Sequence, residues 1–347
     1  MANVYGDITL GNAAKAMTEA LKHAAPILVL SKLAKSIWQG FNETKTMKAR
    51  RIIPLAPALT PVSEGVTPTG TDFRYEWVQA DLVQLGDWMP TTDVLLDLHD
   101  QPIGKDMWTA ASEQAAQTVE QWIWGKIIAG TSVYRGGLVA SRNLINTFLS
   151  KGAQQVITRT LARNKAKKCR QMLDGSPNHN TSPIEAAFIC VTHTDLAPSI
   201  RKMEGFVPVA KYGSRQPICD EELGSVDDVR YILTPWATPF ANAGAAKGTA
   251  GSPTECMSTG GTNADVYPAV FFGEESFAAL SIKAGKEGGK ASPGAGGIRP
   301  MVVQPKAAAG DPLGQRGSVG WKTFFQALIL NEQWLVRGEF AAPANPQ

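Results

Sequence analysis

Cysteine is scarce in this chain: four in 347 residues, at positions 169, 190, 219 and 256. No two form a CxxC pair, which argues against a disulfide framework and fits a reducing compartment. Histidine is as rare, with four copies. His23, His99 and His179 have no acid or nucleophile partner near them in sequence. His193 follows Cys190, but three positions apart on a strand their side chains point to opposite faces. A zinc site there would need two more ligands from isolated positions. Charged residues make up only 19% of the chain and the net charge is +3, so bulk charge names no partner. No apolar run approaches the roughly 18 residues of a membrane span. The first apolar run, AAPILVL, lies behind a long polar lead that contains acids, unlike a secretory signal peptide.

Catalytic motifs are missing too. GAAKGTAG lacks the Gly-Lys-Ser/Thr ending of a phosphate loop. GAGGIR has Arg299 where a dinucleotide fingerprint needs its third glycine. There is no GxSxG elbow. A hydrolase or transferase needs a nucleophile partnered with a base, and no such pair is legible. Asp93, Asp97, Asp100 and Asp106 offer carboxylates for a divalent cation, but their spacing matches no calcium loop. An acidic edge facing solvent or a partner is the better reading. The expectation is a protein that is not an enzyme and has no cofactor or metal.

What the chain does have is charge in blocks. Residues 1–53 hold eight Lys/Arg against three Asp/Glu, residues 72–106 two against eight, and residues 151–170 seven against none. Such blocks are either solvated faces or complementary surfaces that meet in neighbouring copies and set their orientation. The basic residues Arg159, Arg163, Lys165, Lys167, Lys168 and Arg170 lie on a helix predicted over about 153–173. They face either solvent or a subunit, or they touch nucleic-acid phosphates without sequence preference. No aromatic residues interleave with them, so base stacking is not supported.

Hydrophobic periodicity divides the chain. Residues 1–45 read as an arm, with a short helix over 13–24 interrupted by Pro26. Residues 46–92 read as one long two-stranded excursion: the basic strand TMKARRII, a tip rich in Pro and Gly, and a return strand beginning FRYEW. In that return strand Phe73, Tyr75 and Trp77 alternate with Arg74 and Glu76. An isolated two-stranded ribbon is marginal in water, so it needs something to lean on, and another subunit is the natural support. Residues 104–129 are the clearest helix, with Trp108, Ala111, Ala115, Val119 and Trp122 at spacings of three or four and Gly130 as a stop. Residues 184–309 read as a smaller inserted α+β region with strands AAFICV, VRYIL, VYPAVFF and PMVV. A helix DLAPSIRKM there is capped by Thr194, with Pro198 near its start.

The chain then returns in DPLGQRGSVGWKTFFQALILNEQWLVRGEF. Gly310, Gly314, Gly317 and Gly320 allow positive φ or close backbone approach. Trp321–Leu330 reads as a strand buried on both faces, and Asn331-Glu332-Gln333 as the turn of a hairpin that closes the core.

Taken together, these elements resemble the major capsid proteins of N4-type tailed phages. The matching stretches are MANVYGDIT, SEGVTPTG, GDWMPTTDVLLD, EQAAQTVEQ, VTHTDLAPSIRKMEGFVPVAKYGS and, most specifically, DPLGQRGSVGWKTFFQALILN. The resemblance implies an α+β fold of the Hong Kong 97 type. Its parts would be an N-terminal arm (1–45), an extended E-loop (46–92), a P-domain (93–175 with spine helix 104–129, plus a C-terminal hairpin over 311–347) and an A-domain (176–310). It implies a structural subunit that self-assembles as hexamers and pentamers into an icosahedral shell around double-stranded DNA. The shell would be built in the host cytoplasm, with scaffold, portal and decoration proteins as further partners. An encapsulin-like nanocompartment subunit is the alternative on the same fold. The E-loop of one copy would lie over the P-domain of the next. Arg50, Arg51, Phe73, Tyr75, Trp77, Trp88, Asp93 and Asp97 are the expected inter-subunit contacts. Arg159, Arg163, Lys167 and Arg170 are the expected DNA-facing residues.

Overall fold

The computed structural model describes residues 29–39, 44–59, 61, 64, 65, 67, 70–98, 103–169, 186–212, 217–249, 251–282, 286, 287, 290, 291, 298–307 and 310–345. The first elements are a one-turn helix α1 (Leu30–Leu33), β1 (Lys35–Gln39), β2 (Thr46–Ile52), β3 (Tyr75–Asp81), β4 (Val83–Thr92), α2 (Asp93–Leu98) and α3 (Ile103–Ile127). Next come β5 (Val133–Arg135), α4 (Lys151–Arg163), β6 (Phe188–Thr192), α5 (Ala197–Arg201), β7 (Val207–Pro208), β8 (Glu222–Val226) and β9 (Val229–Leu233). The chain ends with β10 (Val266–Phe272), β11 (Phe277–Ile282), β12 (Lys286–Glu287), β13 (Lys290–Ala291), β14 (Arg299–Val303), β15 (Arg316–Ile329) and β16 (Leu335–Ala341).

Two sheets organise these elements. In the five-stranded sheet, β15 is the axis: β4 pairs along one side, and β14 and β11 share the other, with β1 parallel to β11 beyond. The seven-stranded sheet runs β5-β16-β10-β6-β9-β8-β7. The long helix α3, about 38 Å at 1.5 Å per residue, covers one face of the five-stranded sheet. There Met107, Ala111 and Ala115 pack on Val319 and Trp321. Its last turns enter the main core, where Ile123, Trp124 and Ile127 meet Phe325 and Ala327 of one sheet and Val270 and Phe272 of the other. Strand β10 is buried along its whole length because alternate residues serve two cores. Tyr267, Ala269 and Phe271 pack under Ile157 and Leu161 of α4, and Val270 and Phe272 pack towards α3.

The structure departs from the sequence reading at several joints. The C-terminal segment is no hairpin, because β15 and β16 belong to different sheets. Asn331 breaks the strand: its side chain accepts from the Gln333 N–H, and a 3-10 turn over Glu332–Trp334 follows. Trp334 then donates its indole N–H to the Asn164 carbonyl, which swings Leu335 into register opposite Phe272. The excursion over 46–92 also splits. Strand β3 pairs with β2 only as far as Asp81; Leu82 is buried, and β4 leaves the ribbon to pair with β15. The region over 184–309 is not a self-contained insert, since β10 and β11 pair with β16 and β15 respectively.

Three further expectations shift. Residues 29–39 are not a loose arm: Val29 and Leu30 are core residues, and β1 is a sheet strand. The helix proposed over 13–24 lies outside the described residues. Helix α4, capped by Ser150, ends at Arg163, and Lys165 at φ +54° turns the chain off the helix axis. The cap before DLAPSIRKM is His193, whose ring Nδ1 accepts from the Asp195 N–H, and not Thr194. Two glycines of the C-terminal segment act as expected. Gly314 sits at φ +66°, and a Cβ on Gly320 would stand 2.6 Å from the Asp87 carbonyl oxygen of the adjacent strand.

Candidate inter-subunit surfaces

The ribbon of β2 and β3 has two unlike faces, because side chains alternate along a strand. Met47, Ala49 and Arg51 share one face with Ala80, Val78 and Glu76. This face leans on the protein's own core. Met47 is buried with Ala278 and Leu280, and Arg51 reaches Glu76 at 2.6 Å and Asn331 at 3.1 Å. The support that an isolated ribbon needs is therefore partly internal at its base.

The opposite face carries Arg50 and Ile52 across from Trp77 and Tyr75. Phe73, Tyr75 and Trp77 form a run of rings, with Tyr75–Trp77 edge to face at 5.6 Å and the Arg50 guanidinium 5.9 Å from the Tyr75 centroid. All three rings are about half exposed or more, Trp77 at 53%. Beyond it the chain carries Ile53, Leu55 and Leu59 into solvent. Contiguous exposed aromatic residues of this kind are common at binding surfaces, which makes this face a candidate contact.

The structure separates Trp88 from that ribbon. It lies on β4, 64% exposed, opposite Gly320 and in line with Met301 of β14. Met301 and Val303 are exposed on the same sheet face, away from α3. Asp93 starts α2 and accepts from its neighbour's Val94 N–H, and Asp97 is exposed. Asp100 lies outside the described residues. Among the described residues, no group of three or more His, Cys, Asp or Glu side chains is placed to hold a metal ion.

Of the basic residues, Arg159 and Arg163 are exposed on α4, whose other face buries Ala153, Gln154, Ile157 and Leu161. Lys167 is exposed but lies beyond the helix end, and Lys168 is tied to Asp228 at 2.7 Å. Arg170 lies outside the described residues. The basic block is thus a corner between a helix and an extended segment, not one helical stripe.

Sequence reasoning missed a second charged cluster, at the β5 edge of the seven-stranded sheet. Glu339 on β16 is fully buried. Arg142 reaches it with two nitrogens, at 2.6 and 3.2 Å; Arg337 stands at 3.0 Å and Arg135 at 3.9 Å. The Arg142 guanidinium also stacks 3.6 Å over Phe240. Burial pushes the Arg337 pKa down, as do the neighbouring Arg142 and Arg135, while Glu339 acts in the opposite sense. The four residues are spread over some 200 positions of sequence, so no local spacing announced them. The one local signal was the i, i+2 pair Arg337 and Glu339, which on a strand places both on one face.

The fold defined by these two sheets and the long helix is that of phage capsid subunits. Superposed on the capsid subunit of cyanophage P-SCSP1u, the chain matches with a TM-score of 0.59 over 98% of its length and 97% of that subunit, at 10% identity. The capsid of Ralstonia phage GP4 matches with a TM-score of 0.59 over 98% of this chain and all of that one, at 12% identity. The head protein of Helicobacter pylori bacteriophage KHP40 matches with a TM-score of 0.56, at 10% identity over 97% of this chain and 98% of that one. In sequence, the chain is 20% identical over 299 residues to the major capsid protein of Pseudomonas phage KPP21, covering 82% of this chain and 72% of that protein. No family model matches the chain.

Proposed function

We propose that this chain is the major capsid protein of a tailed phage, a structural subunit of the virion and not an enzyme. The observation that carries the reading is a ribbon with an exposed aromatic face on a subunit whose whole length follows the phage capsid fold. The curated relative is itself a major capsid protein, which favours a phage shell over the encapsulin-like compartment.

In finer detail the chain is read as an N4-type member of the Hong Kong 97-type group. The ribbon over 46–81 is its E-loop, the five-stranded sheet with α3 its P-domain, and the seven-stranded sheet its A-domain. The aromatic face of one ribbon covers the P-domain of the next copy in the region of Trp88, by strand-like docking. Head-to-tail contacts with a closing rotation then build hexamers and pentamers. Arg159, Arg163 and Lys167 face the packaged double-stranded DNA and meet its phosphates without sequence preference. Scaffold, portal and decoration proteins are expected partners, with assembly in the host cytoplasm.

Negative-stain electron microscopy of the purified protein tests the proposal. Uniform closed shells are the expected result. Persistent monomers with an activity on a small molecule would overturn it.

A further inference from the structure

The cluster around Glu339 has more donors than its single carboxylate can use. Three guanidinium groups bring about fifteen N–H donors to one carboxylate with about four acceptor sites. Among the described residues the only other oxygen they reach is the Ala140 carbonyl, bonded by Arg135. The Arg135 Nε, although buried, has no hydrogen-bond partner. Arg135 and Arg142 each keep about a third of their side chain exposed. The surplus positive charge therefore reaches the surface.

Beside it the chain holds apolar residues outward. Leu138 is 78% exposed and sits at φ +56°, a left-handed conformation that a leucine adopts only at a cost. Leu144 is also exposed. The loop carrying both is pinned by the Arg135–Ala140 and Arg142–Glu339 bonds. Exposed leucines around recessed arginines suit a protein partner with a carboxylate. A nucleic-acid backbone would leave the leucines uncovered.

The other margin of the same sheet is complementary. Strand β7 pairs only with Gly224 and Ser225; beyond it the turn over Val209–Lys211 and the Tyr212 hydroxyl, which donates to Glu222, flank the start of β8, and the turn over 218–221 lies at that margin. Asp220 is exposed there and Glu221 half-buried, and neither has a cation partner among the described residues. Strand β5 and the start of β8 stand about 24 Å apart, five strand spacings of about 4.8 Å. A surface at each end of one sheet is what a head-to-tail contact requires.

We propose that the Arg135–Arg142 margin of the seven-stranded sheet docks the Asp220–Glu221 turn of a second copy of this chain, with Leu138 and Leu144 sealing the contact. The proposal rests on the self-assembly reading above and adds its specific pairing. Two double variants test it: Leu138→Asp with Leu144→Asp on one margin, and Asp220→Lys with Glu221→Lys on the other. Aspartate tolerates the left-handed backbone at 138, so both should fold with wild-type circular dichroism. Each alone should reduce the yield of closed assemblies by about tenfold or more, as like charges in an interface do. In the mixture one contact pairs the two unaltered surfaces and the other sets the new carboxylates against the new ammonium groups, so mixing the variants should recover assembly that neither shows alone, read by sedimentation. Leu138→Gly provides a folding control, because it relieves the strained backbone; it should keep or raise subunit stability and still weaken assembly. Wild-type shells with either double variant, or no recovery of assembly in the mixture, overturns the pairing. Failure of the wild-type chain to form shells would instead overturn the capsid reading itself.

Discussion

The carboxylate of Glu120, fully buried on α3, accepts the backbone N–H of Leu30 at 2.5 Å. The same carboxylate also takes the N–H groups of Val29 and Ser31. These are donors that the start of a one-turn helix leaves unsatisfied. One side chain thereby fastens the entering chain to the long helix.

Removing that acceptor is costly, because three N–H groups, two of them buried, lose their partner. Glu120→Ala should destabilise the subunit by about 3–5 kcal/mol, measured by urea unfolding. Glu120→Gln keeps one acceptor oxygen and should cost about 1–2 kcal/mol at neutral pH. The pH dependence has a definite sign. Burial raises the Glu120 pKa above its ordinary value, outweighing the N–H groups of Leu30, Val29 and Ser31, which lower it. A raised carboxyl favours the fold below its unfolded pKa and loses that contribution as pH rises through the folded one. The wild-type chain should therefore lose stability relative to Glu120→Gln as pH rises above the ordinary carboxyl range. A gain over that rise would contradict the assignment.

Arg50 and Arg51 are adjacent but point to opposite faces of the ribbon, and their charge reversals should differ. Arg51→Glu breaks the tie to Glu76 and Asn331 and should loosen the ribbon base, seen as faster proteolysis within 46–81. Arg50→Glu and Trp77→Ser touch an exposed face and should leave subunit stability within about 0.5 kcal/mol while suppressing shell formation. Normal shells from both of the latter would sink the docking role of that face.

Gly320 and Gly310 make a matched pair. A Cβ at Gly320 meets the Asp87 oxygen at 2.6 Å and the Trp88 Cβ at 2.7 Å, whereas a Cβ at Gly310 meets nothing within 4 Å. Gly320→Ala should cost about 1–3 kcal/mol through strand displacement, and Gly310→Ala should be neutral in thermal unfolding.

The four thiols should be inert in the folded protein. Burial pushes Cys169 and Cys219 up to about 12 and raises Cys190 and Cys256 as well. Little thiolate exists at pH 8 to attack a disulfide reagent. Titration should be slow in the native state and release four equivalents on unfolding; rapid native labelling would refute the burial.

Local pattern made much of this protein legible. The apolar stripe from Ala111 to Trp122 sufficed for α3. The alternation of Phe73, Tyr75 and Trp77 sufficed for the ribbon strand, and VYPAVFF for a strand whose full burial only the structure showed. Strands β8 and β11 were missed because ELGSV and FAALSI sit among small and polar residues that blur a period of two. The candidate contacts were legible as residue types, but their facing was not. Arg51 turned inward and Trp88 fell on a different sheet from Trp77.

The sequence by itself determined most of the elements and the types of residue they expose, since side-chain periodicity and backbone preference act over a few residues. Only the tertiary structure decided that β15 and β16 part into two sheets, that Glu120 holds Leu30, and that three arginines gather on Glu339. Those outcomes depend on pairing and desolvation between residues tens to hundreds of positions apart, which no local pattern encodes.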